Sequence, residues 1–134
     1  MKINTANCPY PLGRAFVSIL EGEIKKSGIA TDKGVVINFH DLDYDAERGG
    51  FHPVEVRISA DGTVQYITDL AFVGSDPHAE LAKELDFDFS LGLFQHFGRE
   101  FPIAQGRSLY RELWEPNFVS YHAMGVYSVL VDSD

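Results

Sequence analysis

Hydrophobic positions recur at helical spacing from Leu12 to Ile24, where Leu12, Ala15, Phe16, Ile19, Leu20 and Ile24 form one apolar stripe. This predicts an amphipathic helix that packs by one face. Pro11 suits its first position, Glu21 is spaced to pair with Lys25, and Lys25 and Lys26 place positive charge at the C-terminal end before Gly28 stops it. An alternating pattern then takes over. Val35, Ile37 and Phe39 alternate with Val36, Asn38 and His40, and Val54, Val56 and Ile58 alternate with Glu55, Arg57 and Ser59, which predicts two half-buried strands. A third strand, Val64 to Val73, places Val64, Tyr66, Thr68, Leu70 and Phe72 on one side.

The turn between the second and third strands sets the register. A two-residue loop of Asp61 and Gly62 would put Ile58 opposite Gln65 and Val54 opposite Asp69, spoiling the apolar face. A three-residue loop of Ala60, Asp61 and Gly62 puts Ile58 opposite Val64, Val56 opposite Tyr66 and Val54 opposite Thr68, with Gly62 in the left-handed position. The second arrangement is the expected one.

From Leu81 to Leu93 the pattern is mixed, but Leu85, Phe87 and Phe89 alternate with Glu84, Asp86 and Asp88 as in a strand, and carboxylates on one face also discourage edge pairing. Ser90 could cap a short helix through Phe97, ended by Gly98. A further helix from Ser108 should stop at Glu115, because a residue before proline avoids helical geometry; Pro116 would then start a short helix through Met124, ended by Gly125. Val126 to Val131 reads as a last strand. With no βαβ alternation, this order predicts a single α+β domain over residues 1–134. Its sheet would be mainly antiparallel and packed against an N-terminal helix and C-terminal helices.

Composition and charge narrow the function classes. The 134 residues are 45% hydrophobic and 23% charged, which excludes wholesale disorder, and no apolar run approaches a membrane span. The balance of 11 basic against 20 acidic residues, −9 overall, speaks against direct nucleic-acid binding in the absence of a basic patch. Residues 1–67 carry nine acids and seven bases, and residues 68–134 eleven and four, so the second half supplies most of the field. Cys8 is the single cysteine, which excludes an intrachain disulfide and any Cys-x-x-Cys motif. Met1 to Tyr10 has one lysine and no apolar stretch of signal-peptide length, so a cytoplasmic location is the expectation.

Motifs for chemistry are sparse. Asp41-Leu-Asp-Tyr-Asp45 opens like a calcium loop, but Ala46 stands where such a loop needs glycine and His52 where it needs glutamate. A metal site built from His40, Asp41, Asp43, Asp45 and His52 is the alternative reading, with His78, His96 and His122 as more distant imidazoles; no paired-histidine spacing supports it on a helix. Gly74-Ser-Asp-Pro-His78 lacks the nucleophile-elbow pattern and reads as a turn. Cys8 reads as a partly buried thiol. Gly49-Gly50 reads as a turn without a phosphate-cradle pattern, and no motif implies a cofactor. Trp114, Phe118 and Tyr121 could either form an aromatic anchor patch or seal the core.

Several segments resemble one family when taken together: Gly49-Gly-Phe-His-Pro-Val-Glu55, Tyr66-Ile-Thr-Asp-Leu-Ala-Phe-Val-Gly74, Leu85-Asp-Phe-Asp-Phe89, and Trp114-Glu-Pro-Asn-Phe-Val-Ser-Tyr121 with Met124-Gly125. They resemble the uncharacterised bacterial domain of unknown function numbered 2787. The resemblance implies a small bacterial α+β protein and carries no catalytic residue or cofactor with it.

The leading functional expectation is a non-enzymatic module that meets a basic protein partner through an acidic face, Asp41, Asp43, Asp45, Glu47, Glu84, Asp86 and Asp88, with a nucleic-acid mimic as a special case. The rival is a metal-binding protein or metal-assisted hydrolase. A small-molecule pocket between the sheet and the terminal helices is a third possibility.

Overall fold

The computed structural model describes residues 1–75 and 77–134. Helix α1 (Arg14–Ser27) is followed by strands β1 (Val35–His40), β2 (Val54–Ile58), β3 (Val64–Val73), β4 (Glu80–Asp88), β5 (Leu93–His96) and β6 (Arg99–Pro102). A short 3₁₀ turn (Ile103–Gly106), α2 (Arg107–Leu109), a π turn (Tyr110–Trp114) and α3 (Glu115–Ala123) lead to the last strand, β7 (Ser128–Ser133). The seven strands form one sheet in the order β6-β5-β4-β3-β2-β1-β7, with every pair antiparallel. The α+β architecture follows the sequence pattern.

The helices pack on one face of this sheet. Phe16, Leu20 and Ile24 of α1 are buried with Val35, Ile37 and Phe39 of β1, Val54, Val56 and Ile58 of β2, and Phe118 of α3. Edge-to-face contacts of Phe16 with Trp114 and Phe118, and of Phe39 with Phe118, knit the helices to the strands. The first helix begins at Arg14, so Pro11 lies ahead of it; Glu115 accepts the Gly13 amide at 3.1 Å and closes that end. Glu21 does not pair with Lys25: its carboxylate accepts the Ile3 amide at 2.8 Å, tying the N-terminal segment down.

Three expectations are corrected. The three-residue loop forms, with Gly62 at φ +87° and Ile58 opposite Val64, but Gln65 is an extra residue on β3, and beyond it Arg57 meets Tyr66, Val56 meets Ile67 and Val54 meets Asp69. A bulge reverses the alternation. Ile67, Asp69 and Ala71 therefore follow Val64 onto the helix-covered face, while Tyr66 and Thr68 turn to the other.

Second, no helix runs from Ser90 to Phe97. Leu93–His96 pairs with both β4 and β6, and Phe97-Gly98 is a two-residue hairpin turn with both φ values positive, at +48° and +82°. Leu93, Phe94 and Gln95 face ready partners in Asp88, Phe87 and Asp86, and the hairpin ladder overrides the capping signal.

Third, the helix does not stop at Glu115. It continues through Pro116 because the π turn Tyr110–Trp114 widens the backbone just ahead of the ring, where a regular turn would clash and lack an amide donor. The uninterrupted run turns Tyr110, Trp114 and Phe118 onto one buried face.

Candidate functional site

A cleft of about 300 Å³ opens between the C-terminal helix and the sheet. Phe51 and His52 from the loop before β2, Asp69 of β3, Glu84 and Leu85 of β4, and Leu113, Trp114 and Tyr121 from the helical run contribute to its walls. Among the described residues that line it there is no lysine or arginine. The walls are aromatic and aliphatic. Phe51 and Tyr121 close one side with ring centroids 4.6 Å apart.

Its polar centre comes from two strand irregularities. The bulge at Gln65 turns Asp69 inward, and a second break in register, between Asp69 and Leu70, leaves Glu84 unpaired on β4 between Leu85 and Lys83. His52 lies between them: its Nδ1 is 2.9 Å from Asp69 Oδ1 and 2.8 Å from Glu84 Oε2. The second oxygen of Asp69 accepts the indole N–H of Trp114 at 2.9 Å. Asp69 is 9% exposed, and a carboxylate so deep needs such partners. The Asp69 hydrogen bond raises the His52 pKa above 6.5, burial opposes it, and the charges of Asp69 and Glu84 add to the rise.

The loop of residues 41–52 is held by its own carboxylates. Asp41 accepts the amides of Asp43 at 3.0 Å and Phe51 at 2.9 Å, and Asp45 accepts those of Glu47 and Arg48 and pairs with the Arg48 guanidinium at 2.8 Å. Hydrogen bonding by the Arg48 amide and side chain lowers the Asp45 pKa. Asp43, Glu47 and Leu42 are exposed, and Tyr44 reaches back to the sheet, its hydroxyl accepting a hydrogen bond from the Phe72 amide at 2.9 Å.

Of the carboxylates expected on one acidic face, Asp86 and Asp88 lie on the sheet face away from the helices, and Asp86 is only 3% exposed, held by the Thr68 hydroxyl at 2.8 Å and Lys83 at 3.3 Å. Asp88 caps the following turn through Ser90 and Leu91. Glu84 is in the cleft. The expected metal set is also redistributed: His52 is brought to Asp69 and Glu84, the single cluster of three ligating side chains among the described residues, and His40, Asp41, Asp43 and Asp45 are not part of it. Asp41 and Asp45 are occupied by loop amides instead.

Trp114 and Phe118 do not form an exposed anchor: both are buried, and with the half-buried Tyr121 they line the cleft. Cys8 is half-buried, and burial pushes its thiol pKa up. His122 sits 3.4 Å from Glu23, on α3. The Gly74–His78 segment includes Asp76, outside the described residues; the His78 amide reaches the Ser75 carbonyl as a turn requires. Asp69 was the residue sequence reasoning left out. Its signal was a lone carboxylate in the middle of the otherwise apolar stretch Ile67 to Val73.

No helix among the described residues is long and apolar enough to cross a membrane. No curated protein matches the chain. Two solved structures are similar over nearly the whole chain. The hypothetical protein VC0508 from the Vibrio cholerae VSP-II pathogenicity island is 33% identical with a TM-score of 0.81, covering 94% of this chain and 97% of its own. The conserved hypothetical protein VC1805 from the Vibrio cholerae pathogenicity island VPI-2, described as sharing structural homology with the human P32 protein, is 36% identical with a TM-score of 0.79, covering 93% and 97%. The family model for the protein of unknown function DUF2787 matches residues 14–132, and the chain belongs to that family.

Proposed function

We propose that the protein is a non-enzymatic binding module of the cytoplasm whose working surface is the loop of residues 41–52 with the cleft it borders, and whose partner is a basic protein segment. The observation that carries this reading is the construction of that loop. Asp41 and Asp45 are spent on fixing its backbone, so exposed Asp43, Glu47 and Leu42 project from a rigid frame that also supplies Phe51 and His52 to the cleft. Leu42 is 82% exposed, a large apolar side chain beside free carboxylates. Such a preordered surface costs little further entropy on binding. A net charge of −9 would steer a basic segment toward it.

Labelled peptides rich in Lys or Arg and carrying one aliphatic residue test the reading by fluorescence anisotropy. The expected result is an affinity that falls steeply as salt rises and is largely lost in the D43N/E47Q double variant. Absence of binding, or binding indifferent to both salt and the double variant, would overturn it.

A further inference from the structure

We infer that His52, Asp69 and Glu84 form a binding site for a divalent transition-metal ion inside the cleft that the proposed peptide surface borders. Three facts converge on it. The ligating atoms come from three separate segments, the loop before β2, β3 and β4, yet meet at one point. Both carboxylates reach that point through departures from regular strand geometry, at Gln65 and at the Asp69/Leu70 step. The third is the support behind the ligands. Trp114 Nε1 fixes the second oxygen of Asp69 at 2.9 Å and so orients the first toward the imidazole, as residues behind metal ligands do.

The spacing also suits a metal. Ligands about 2.0–2.2 Å from an ion lie about 2.9 Å apart at right angles and about 3.4 Å apart in a tetrahedron. The observed separations of 2.9 and 2.8 Å from Nδ1 match the right-angled arrangement. One imidazole nitrogen with two carboxylate oxygens and six-coordinate spacing favours Mn²⁺, Fe²⁺, Co²⁺ or Ni²⁺, with Zn²⁺ needing a small opening of the set. Binding displaces the proton that Nδ1 shares with the two carboxylates, and that proton leaves to solvent. All three ligating residues line the aromatic cleft.

The test uses the full-length metal-free protein and Mn²⁺, Co²⁺ or Zn²⁺ alone, with no peptide present. Calorimetry is expected to give one ion per chain, with E84Q and H52A each binding about tenfold more weakly or worse, and W114F, which removes only the support, weaker by about tenfold. Circular dichroism checks that each variant is folded. Where a variant is not folded, paramagnetic broadening in the unmodified protein decides: Co²⁺ or Mn²⁺ should bleach His52 before the other four histidines. No ion bound, an affinity unchanged in E84Q, or broadening first at His40, His78, His96 or His122 would each overturn the site. Because the readout contains no peptide, its failure leaves the basic-partner reading untouched, and the converse also holds.

Discussion

The indole N–H of Trp114 donates to Asp69 across 2.9 Å, joining the π turn of the C-terminal helical run to the centre of β3. Both residues are nearly removed from solvent, so this one bond connects the two layers of the fold at a polar point in an otherwise apolar interface. Replacing Trp114 by Phe leaves a buried carboxylate short of a donor. The expected loss is about 1–3 kcal/mol of unfolding free energy. Asp69→Asn, which can still accept from the indole, should lose less than Asp69→Ala. Urea denaturation monitored by circular dichroism measures all three, and equal losses for Asn and Ala would remove the bond from the account.

Pro116 tests the role of the π turn. A proline inside a regular helix costs about 3 kcal/mol, so replacing it would normally recover a comparable amount. Here the wide turn at Tyr110–Trp114 already accommodates the ring. Pro116→Ala should therefore change stability by less than about 1 kcal/mol. A gain near the full value in thermal unfolding would mean that the proline is strained where it stands.

The β2–β3 turn makes a prediction about acid stability. Hydrogen bonds from the Ser59 hydroxyl and from Thr63 hold the Asp61 carboxyl below its ordinary value of 3.8. A lowered folded value means that its contribution is whole above pH 3.8 and disappears as the pH falls through the lower folded value. Asp61→Asn should lower stability at neutral pH and flatten the acid limb, so that its profile meets that of the unmodified protein at low pH. Gly62→Ala, by contrast, is expected to cost more than about 1 kcal/mol at every pH, because a side chain is strained at positive φ. Its Cβ would also overlap the Lys2 carbonyl oxygen. Paired pH titrations of melting temperature separate the two effects.

Much of the fold was legible because most of it depends on local period. The apolar stripe of α1 and the alternations of β1, β2 and the second half of β4 needed only side-chain patterning. The β5–β6 hairpin was hidden because Ser90 and Gly98 imitate helix ends, while what decides Leu93–His96 is the cross-strand pairing of Phe94 with Phe87 and Phe101 in two adjoining hairpins. The candidate site was hidden for a related reason. Strict alternation set Asp69 against an apolar face and so rejected the pairing with Val54 that the chain adopts beyond the bulge. The bulge that upsets the alternation is what delivers the carboxylate to His52 and Trp114. His52 itself was visible, though its partners were sought next to it along the chain.

The most direct test of the binding account is amide chemical-shift mapping on titration with a Lys- and Arg-rich peptide. The account predicts shifts concentrated in residues 41–52 and in the cleft-lining side of α3, saturating together and reversed by high salt. Shifts confined to the opposite sheet face, around Asp86 and Asp88, would contradict it.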